Sequence, residues 1–312
     1  MHVRTDLAIE RYLDTQNETG VRHSVVREGN VEISKVEILS DDAAERMGKD
    51  KGVYITLSDM ALGAPVMDEE KRKTVACVLA QQVKRLLPEE GSVLVVGLGN
   101  RQITADALGS RTVEKMLVTR HMTGTGEEAF SSFRSVCAVS PGVLGITGIE
   151  TAEIVRGVVE KVHPCAVIAV DALSAREAGR IGSCLQITDT GICPGSGVGN
   201  HRMGLQKSTL GVPVIAVGVP MVVYARTIAR DALSFLVEEL ALPGEDGEKH
   251  EQAVDSMVHR VTRQCLGEMV VTPRDVDELV GRVASVVALG LNLALQKHLH
   301  AEEILFLTHD HI

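Results

Sequence analysis

The sequence predicts an α/β fold: a mainly parallel sheet with helices on both faces, a small N-terminal β unit and C-terminal helices. Short, continuously apolar runs recur along the middle of the chain, and helical patterns separate them. Strands that are apolar on both faces and alternate with helices are typical of a parallel sheet that is covered on both sides. The four apolar runs are residues 92–96, 136–139, 166–170 and 214–217.

The N-terminal part, residues 7–66, is predicted to be rich in β-structure. Residues 31–38 alternate apolar and polar side chains, which indicates a half-buried strand, and residues 53–57 repeat the pattern. We interpret the two strands as a small hairpin unit. A helix is predicted over residues 68–87, because a proline and a glycine follow it closely and end the helical pattern.

Residues 67–242 are predicted to form the core, and residues 243–312 a linker and C-terminal helices. Residues 182–190 are more polar than the other strands, so we interpret them as an edge strand. A polar stretch at residues 243–247 is predicted to be the linker. We therefore expect one α/β domain over residues 7–312. The other predicted helices span residues 106–118, 150–162, 222–240, 252–266 and 273–299.

Composition and charge exclude several classes of protein. The 312 residues are 45% hydrophobic, which excludes a mainly disordered chain. With 32 Lys and Arg against 42 Asp and Glu, the chain lacks the basic balance that direct nucleic-acid binding needs. No Trp, 3 Tyr and 4 Phe leave few aromatic platforms for stacking bases.

The cellular environment is predicted from cysteines and apolar segments. The six Cys are scattered and form no C-x-x-C pair, which indicates reduced thiols. The N-terminus has no apolar segment of the secretory type. The longest apolar candidate, residues 283–295, is shorter than the roughly 20 residues that span a bilayer. We expect a soluble intracellular protein with no membrane partner.

Two aspartates are the strongest candidates for chemistry. Ligand sites of open α/β sheets lie beyond the carboxyl ends of the strands, and Asp171 directly follows the buried run at residues 166–170. Asp106 stands where a loop enters a helix, a position that a purely structural N-terminal carboxylate also takes. Two converging carboxylates can share a proton and activate water, or they can hold a divalent metal. Asp189, in an Asp-Thr-Gly context, is a third candidate.

The glycine-rich loops carry weaker signals. The turn from Gly97 to Asn100 lacks the third glycine of a dinucleotide site and the lysine of a P-loop, so close backbone approach to a ligand or peptide is the favoured interpretation. Residues 194–200 form either an ordinary surface loop or a functional lid. The chain has neither a His-Glu-x-x-His zinc motif nor a Gly-x-Ser-x-Gly elbow.

A series of longer motifs resembles the germination proteases of spore-forming bacteria. The likeness begins near Val3 and continues, in the same order, almost to the end of the chain. Among the motifs that carry it are Val95-Val96-Gly97-Leu98-Gly99-Asn100, Thr104-Ala105-Asp106-Ala107-Leu108-Gly109, Gly145-Ile146-Thr147-Gly148-Ile149-Glu150-Thr151, Val170-Asp171-Ala172-Leu173, Ile187-Thr188-Asp189-Thr190-Gly191-Ile192 and Pro194-Gly195-Ser196-Gly197-Val198-Gly199-Asn200.

The resemblance implies an atypical endopeptidase with a fold similar to that of hydrogenase maturation proteases. It implies the small acid-soluble proteins of spores as substrates, a homotetramer, and a location in the forespore cytoplasm. The family's two proposed catalytic aspartates match Asp106 and Asp171. No cofactor is expected, and the alternatives are a metal-dependent peptidase or an inactive binding homologue. The candidate supporting residues are Gly97, Gly99, Asn100, Glu150 and Asp189.

The family is also made as a zymogen that removes its own N-terminal segment, which makes residues 1–6 a candidate propeptide. We expect cleavage between Asp6 and Leu7, because an acidic residue before the bond and an apolar residue after it resemble the family's substrate sites. The alternative is that residues 1–6 have no role. Compared with the family, the stretch at residues 244–251 is short.

Overall fold

A computed structural model describes most of the chain, and the sheet dominates it. The described residues are 5–14, 19–59, 62–64, 69–123, 131–193, 203–240, 256–257, 260 and 266–308. The predicted helix at 252–266 and the predicted linker lie almost wholly outside these residues, as does the loop 194–200.

The described strands form one nine-stranded sheet. The strands are β1 (Val21–Glu28), β2 (Val31–Ile38), β3 (Gly52–Ser58), β4 (Val93–Gly97), β5 (Val136–Val139), β6 (Ala166–Ala175), β7 (Cys184–Thr188), β8 (Val214–Tyr224) and β9 (Val270–Val271). Their order is β1-β2-β3-β7-β8-β6-β4-β5, and β9 pairs with β8. Neighbours from β8 to β5 are parallel, and the other neighbours are antiparallel.

Helices lie on both faces of the sheet. They are α1 (Ala8–Asp14), α2 (Asp41–Met47), α3 (Glu69–Leu86), α4 (Leu108–Val113), α5 (Arg120–Thr123), α6 (Leu144–Thr147), α7 (Thr151–Val162), α8 (Lys207–Leu210), α9 (Ala225–Leu240), α10 (Val276–Leu295) and α11 (Ala301–Thr308). A 3-10 turn, Thr104–Asp106, precedes α4. The predicted α/β class, with a parallel sheet at its centre, is confirmed.

The prediction for residues 182–190 is wrong, because β7 is not an edge strand. It lies between β3 and β8, it runs antiparallel to both, and all its residues are buried. Its polar side chains misled the prediction: Gln186 and Thr188 face a cleft instead of solvent. The N-terminal strands therefore continue the central sheet through β7 and do not form a separate hairpin unit.

Several boundaries also differ from the prediction. Strands β6 and β8 continue five and seven residues past their predicted ends at 170 and 217, because the apolar pattern resumes after Asp171 and Gly218. The helix predicted from residue 222 accordingly begins only at Ala225. The predicted helix 106–118 is the short α4, and the predicted helix 273–299 is α10, which ends before α11. Strand β1 and helix α2 were not predicted.

The main core lies between one face of the sheet and the pair α3 and α10. Helix α10 is long and apolar enough to cross a membrane by length and composition, but most of it is buried in this core. Representative buried residues are Leu79, Val95, Ile168, Leu185, Ile215 and Val287. On the opposite face, α7 and α8 cover the parallel half, and α1 and α2 cover the antiparallel half. The cleft described next opens on this second face.

Candidate active site

A cleft of about 860 Å³ lies on the face of the sheet that α3 and α10 leave uncovered. Strands β6, β7 and β8 form its floor, and the 3-10 turn before α4 and the segment after α2 form parts of its wall. Successive side chains of a strand point to opposite faces of the sheet. In β6, β7 and β8, the residues that alternate with the buried core residues therefore project into the cleft. Among the residues that line the cleft are Asp6, Lys49, Asp106, Asp171, Ser174 and Gln186.

Asp171 projects from β6 into the cleft and is almost fully buried, with 8% of its surface exposed. It lies within the strand and not at its end, paired with Gly218 of β8. Its Oδ1 accepts a hydrogen bond from the backbone N–H of Ala172 at 2.9 Å. Burial raises the pKa of Asp171 well above its usual value, and the charges of Asp106 and Asp6 raise it further. The surroundings of Asp171 therefore favour its protonated form.

Asp106 is held from the other side of the cleft by the loop that follows β4. Its Oδ2 accepts a hydrogen bond from the backbone N–H of Asn100 at 2.7 Å. The side chain of Asn100 in turn accepts one from the N–H of Gln102 at 2.9 Å, which fixes the turn. Gly99 has φ +92, and a Cβ there would lie closer than 3.0 Å to the Asp106 carbonyl oxygen. Gly99 and Asn100 therefore position the Asp106 carboxylate.

Gly97 brings this loop to the sheet. A Cβ on Gly97 would lie closer than 3.0 Å to the carbonyl oxygen of Gly109 in α4, so the two glycines let α4 contact the end of β4. The N–H of Leu98 donates to the carbonyl of Val170 at 2.8 Å and ties the loop to β6, one residue before Asp171. This close contact brings Asp106 and Asp171 into the same cleft.

The predicted scissile residue, Asp6, lies in the same cleft. Its Oδ2 accepts hydrogen bonds from the backbone N–H and the hydroxyl of Ser174, each at 2.7 Å. Its carbonyl oxygen accepts hydrogen bonds from Lys49 Nζ at 2.8 Å and Gln186 Nε2 at 3.1 Å. Leu7, the next residue, is fully buried. The structure thus places Asp6, the residue before the predicted bond, in the cleft that Asp106 and Asp171 line.

Two other candidates lie outside this arrangement. Asp189 Oδ1 accepts a hydrogen bond from the N–H of Val53 at 2.8 Å, which joins the end of β7 to β3. It is not among the residues that line the cleft, although its neighbours Thr188 and Thr190 are, because its side chain is bonded to β3 instead. Glu150 directly precedes α7 and is also absent from the lining.

Sequence reasoning missed Lys49, Ser174 and Gln186. Lys49 follows Gly48, whose left-handed conformation (φ 60) ends α2, and the burial of its side chain lowers its pKa. Ser174 and Gln186 are polar residues within otherwise apolar strands, which is the signal that could have revealed them. Among the described residues, no group of three or more His, Cys, Asp or Glu side chains is arranged to hold a metal ion.

The chain is similar in sequence to known proteins over most of its length. A family model described as germination protease matches residues 3–264. The germination protease of Caldanaerobacter subterraneus is 44% identical over 323 residues, which cover 98% of each chain. That of Clostridium acetobutylicum is 42% identical, covering 97% of this chain and 98% of its own, and that of Priestia megaterium is 37% identical, covering 98% and 97%. A nickel–iron hydrogenase maturation protease from Thermococcus kodakarensis superposes on 67% of this chain with a TM-score of 0.35 and 18% identity.

Proposed function

The chain belongs to the germination protease family, and we propose that it is an endopeptidase that begins the degradation of small acid-soluble spore proteins during germination. We propose cleavage after acidic residues by water that the two aspartates activate. The observation that supports this most directly is a buried carboxyl group, Asp171, beside a second carboxylate, Asp106, in a cleft that already contains an Asp-Leu peptide bond.

The two carboxyl groups are suited to opposite tasks. Burial and neighbouring charge favour the protonated form of Asp171, whereas the side chain of Asp106 is a hydrogen-bond acceptor held by the backbone N–H of Asn100. In the proposed reaction Asp106 takes a proton from water as the water oxygen bonds to the peptide carbonyl carbon. Asp171 gives its proton to the leaving nitrogen, and the carbon–nitrogen bond breaks. A proton then passes from Asp106 to Asp171, which restores the pair.

From membership in this family we also propose that the chain processes itself, that it assembles into an oligomer, and where in the cell it acts. The enzyme would cut its own chain between Asp6 and Leu7 and release residues 1–6. It would act as a homotetramer in the forespore cytoplasm, without a membrane or nucleic acid as partner. The position of Asp6 in the cleft supports the first of these proposals.

The chemistry is tested by removing each carboxylate in turn. Asp106→Asn and Asp171→Asn should each lower the kcat for peptide cleavage by at least about 100-fold, the usual contribution of a general acid or base. Asp275→Asn is the matched control, since Asp275 precedes α10 and does not line the cleft. Cleavage of a peptide containing an Asp-Leu-Ala site is measured by mass spectrometry, with circular dichroism as the check on folding.

Either variant with near-normal turnover would remove that aspartate from the mechanism. A chelator distinguishes the metal-dependent alternative: the aspartate mechanism keeps full activity in the chelator. Activity that is lost in a chelator and restored by a divalent cation would establish a metal-dependent peptidase. No cleavage of any peptide, and none of the chain itself, would favour an inactive binding homologue.

A further inference from the structure

Strand β6 has an edge that no described strand covers. Strand β4 pairs with β6 only up to the Gly97–Val170 pair, whereas β6 continues to Ala175. Along this edge the backbone N–H groups of Ala172, Ser174 and Arg176 donate to carboxylates. The acceptors are the side chains of Asp171, Asp6 and Glu10, at 2.9, 2.7 and 2.9 Å. Carboxylates thus take the place of the carbonyl groups of a neighbouring strand.

Ser174 forms hydrogen bonds with both the backbone and the side chain of Asp6, the middle acceptor. Its backbone N–H donates to the carbonyl of Ser174 at 2.9 Å, while its carboxylate accepts both the N–H and the hydroxyl of Ser174. Ser174 has 4% of its surface exposed. A buried hydroxyl and N–H that face one carboxylate oxygen are suited to an acidic side chain, because charge-assisted hydrogen bonds are the stronger kind. A neutral amide in that place would offer a weaker acceptor.

The carbonyl group of Asp6 is bound separately. The Lys49 ammonium and the Gln186 amide both donate to this oxygen, at 2.8 and 3.1 Å. The same Gln186 amide accepts the N–H of Ala8 at 2.7 Å, so it holds the backbone on both sides of Leu7. Gln186, Gly218 and Asp171 lie in one row across β7, β8 and β6, which places the first and last about 10 Å apart at their Cα atoms.

We propose that this arrangement is the subsite that substrates occupy, and that the chain's own Asp6 and Leu7 fill it in their place. Ser174 binds the acidic side chain before the bond to be cleaved and selects for it. Lys49 and Gln186 bind the carbonyl oxygen of that bond and stabilise the negative charge that develops there when water attacks. This inference rests on the proposed peptidase function and adds the residues that determine its specificity.

The geometry explains why each residue type is present. Lys49 supplies a positive charge at the oxygen that becomes negative, and its half-buried position limits screening by water. Gln186 has 6% of its surface exposed, and both the oxygen and the nitrogen of its side-chain amide are hydrogen-bonded to the N-terminal segment. Without a peptide, Ser174 and Gln186 would be buried polar groups lacking these partners, which is unfavourable. The subsite therefore discriminates against any chain that does not supply a carboxylate and a carbonyl together.

The selectivity is tested by a double-mutant cycle on the full-length chain. Asp6→Asn should slow cleavage of the Asp6–Leu7 bond roughly 10- to 100-fold in the wild-type background, the range expected for a hydrogen-bonded charge. In the Ser174→Ala background, Asp6→Asn should change the rate less, because the hydroxyl is gone and only the backbone N–H still donates to the carboxylate. The same cycle can be measured in trans, with added peptides that carry Asp or Asn before the bond to be cleaved. Mass spectrometry measures both reactions.

Control variants separate recognition from folding. Ser174→Thr keeps the hydroxyl and should keep the Asp-over-Asn preference even if it lowers the overall rate. Ser183→Ala is the matched control, because Ser183 bonds to Gly179 outside the cleft. Lys49→Met should lower kcat by roughly 100- to 1000-fold with a smaller change in KM, and Lys49→Arg should restore part of it. A large fall in kcat with a smaller change in KM would not result from loss of packing alone.

The outcomes are distinguishable from failure of the proposed function. If the wild type cleaves neither itself nor the peptides, the peptidase function fails and this inference with it. If the wild type cleaves and Asp106→Asn and Asp171→Asn do not, the function stands. In that case, Ser174→Ala with an unchanged Asp-over-Asn preference, or Lys49→Met with normal kcat, would overturn the inference alone.

Discussion

Asp171, which we propose as the catalytic acid, also makes folding stability depend on pH. Burial, together with two neighbouring carboxylates, raises the pKa of this carboxyl group well above the ordinary 3.8 and favours its protonated form. The unfolded chain releases that proton at a lower pH than the folded chain. Folding stability is therefore greatest below the unfolded pKa and falls as the pH rises through the folded pKa.

Asp171→Asn should remove this dependence. The asparagine keeps the shape of the side chain and carries no titratable proton. We expect the variant to be more stable than the wild type at neutral pH, with an advantage that grows as the pH rises from about 4 and then levels off. Urea unfolding across a pH series measures this. Stability curves that stay parallel at every pH would contradict the assignment of Asp171 as the protonated partner.

At the residue scale, the sequence located the two aspartates but not their setting. Asp106 and Asp171 were predicted from strand ends and from the family resemblance, and the structure brings both to one cleft. Asp171, however, lies inside β6, since the apolar pattern continues on the far side of it. Ser174 and Gln186 stand out only as polar residues within apolar strands; the partner that they bind could not be inferred, because the N-terminal segment is distant in sequence. Such contacts follow from the tertiary fold and not from local pattern.

At the element scale, the packing of α4 on β4 determines where Asp106 stands. Gly97→Ala should push α4 away from the sheet, because the new Cβ would lie closer than 3.0 Å to the Gly109 carbonyl. We expect a loss of about 1–3 kcal/mol in the free energy of unfolding, typical of overpacking, together with reduced activity. Thermal and urea unfolding measure the first effect, and peptide cleavage measures the second.

Gly157→Ala in α7 is the matched control for this prediction. Gly157 is exposed within the helix, and a Cβ there would have no atom within 4 Å. Alanine should leave stability unchanged or raise it by about 1 kcal/mol or less, because it favours the helix. Equal effects of the two substitutions would show that the close approach at Gly97 is unimportant.

The elements that pattern predicted well are those whose environment is uniform. Strands β4 and β5 and helices α3 and α7 agree closely with prediction because each has a simple apolar run or stripe. Strand β7 was misplaced because one of its faces meets a polar cleft, which gives it the pattern of an edge. The antiparallel order around β7 could not be inferred, since pairing depends on contacts between segments that are far apart in the chain.

At the scale of the whole molecule, we expect a homotetramer. Several large apolar side chains remain exposed on the single chain, among them Phe235 and Leu236 of α9 and Phe306 of α11. Exposed apolar groups of this size favour association. Light scattering across a concentration series should give four times the mass of the 33.5 kDa chain. A monomer mass at every concentration would contradict the expectation.

The N-terminal segment also acts on the acidity of the group beside it. The negative charge of Asp6 is one of the influences that raise the pKa of Asp171. Release of residues 1–6 would carry that charge away and leave a positively charged amino terminus on Leu7 in its place. Both changes lower the pKa of Asp171. Self-cleavage would thus do more than open the cleft: it would lower the pKa of Asp171 in the substrate-free enzyme, until the acidic side chain of a substrate restores the negative charge beside it.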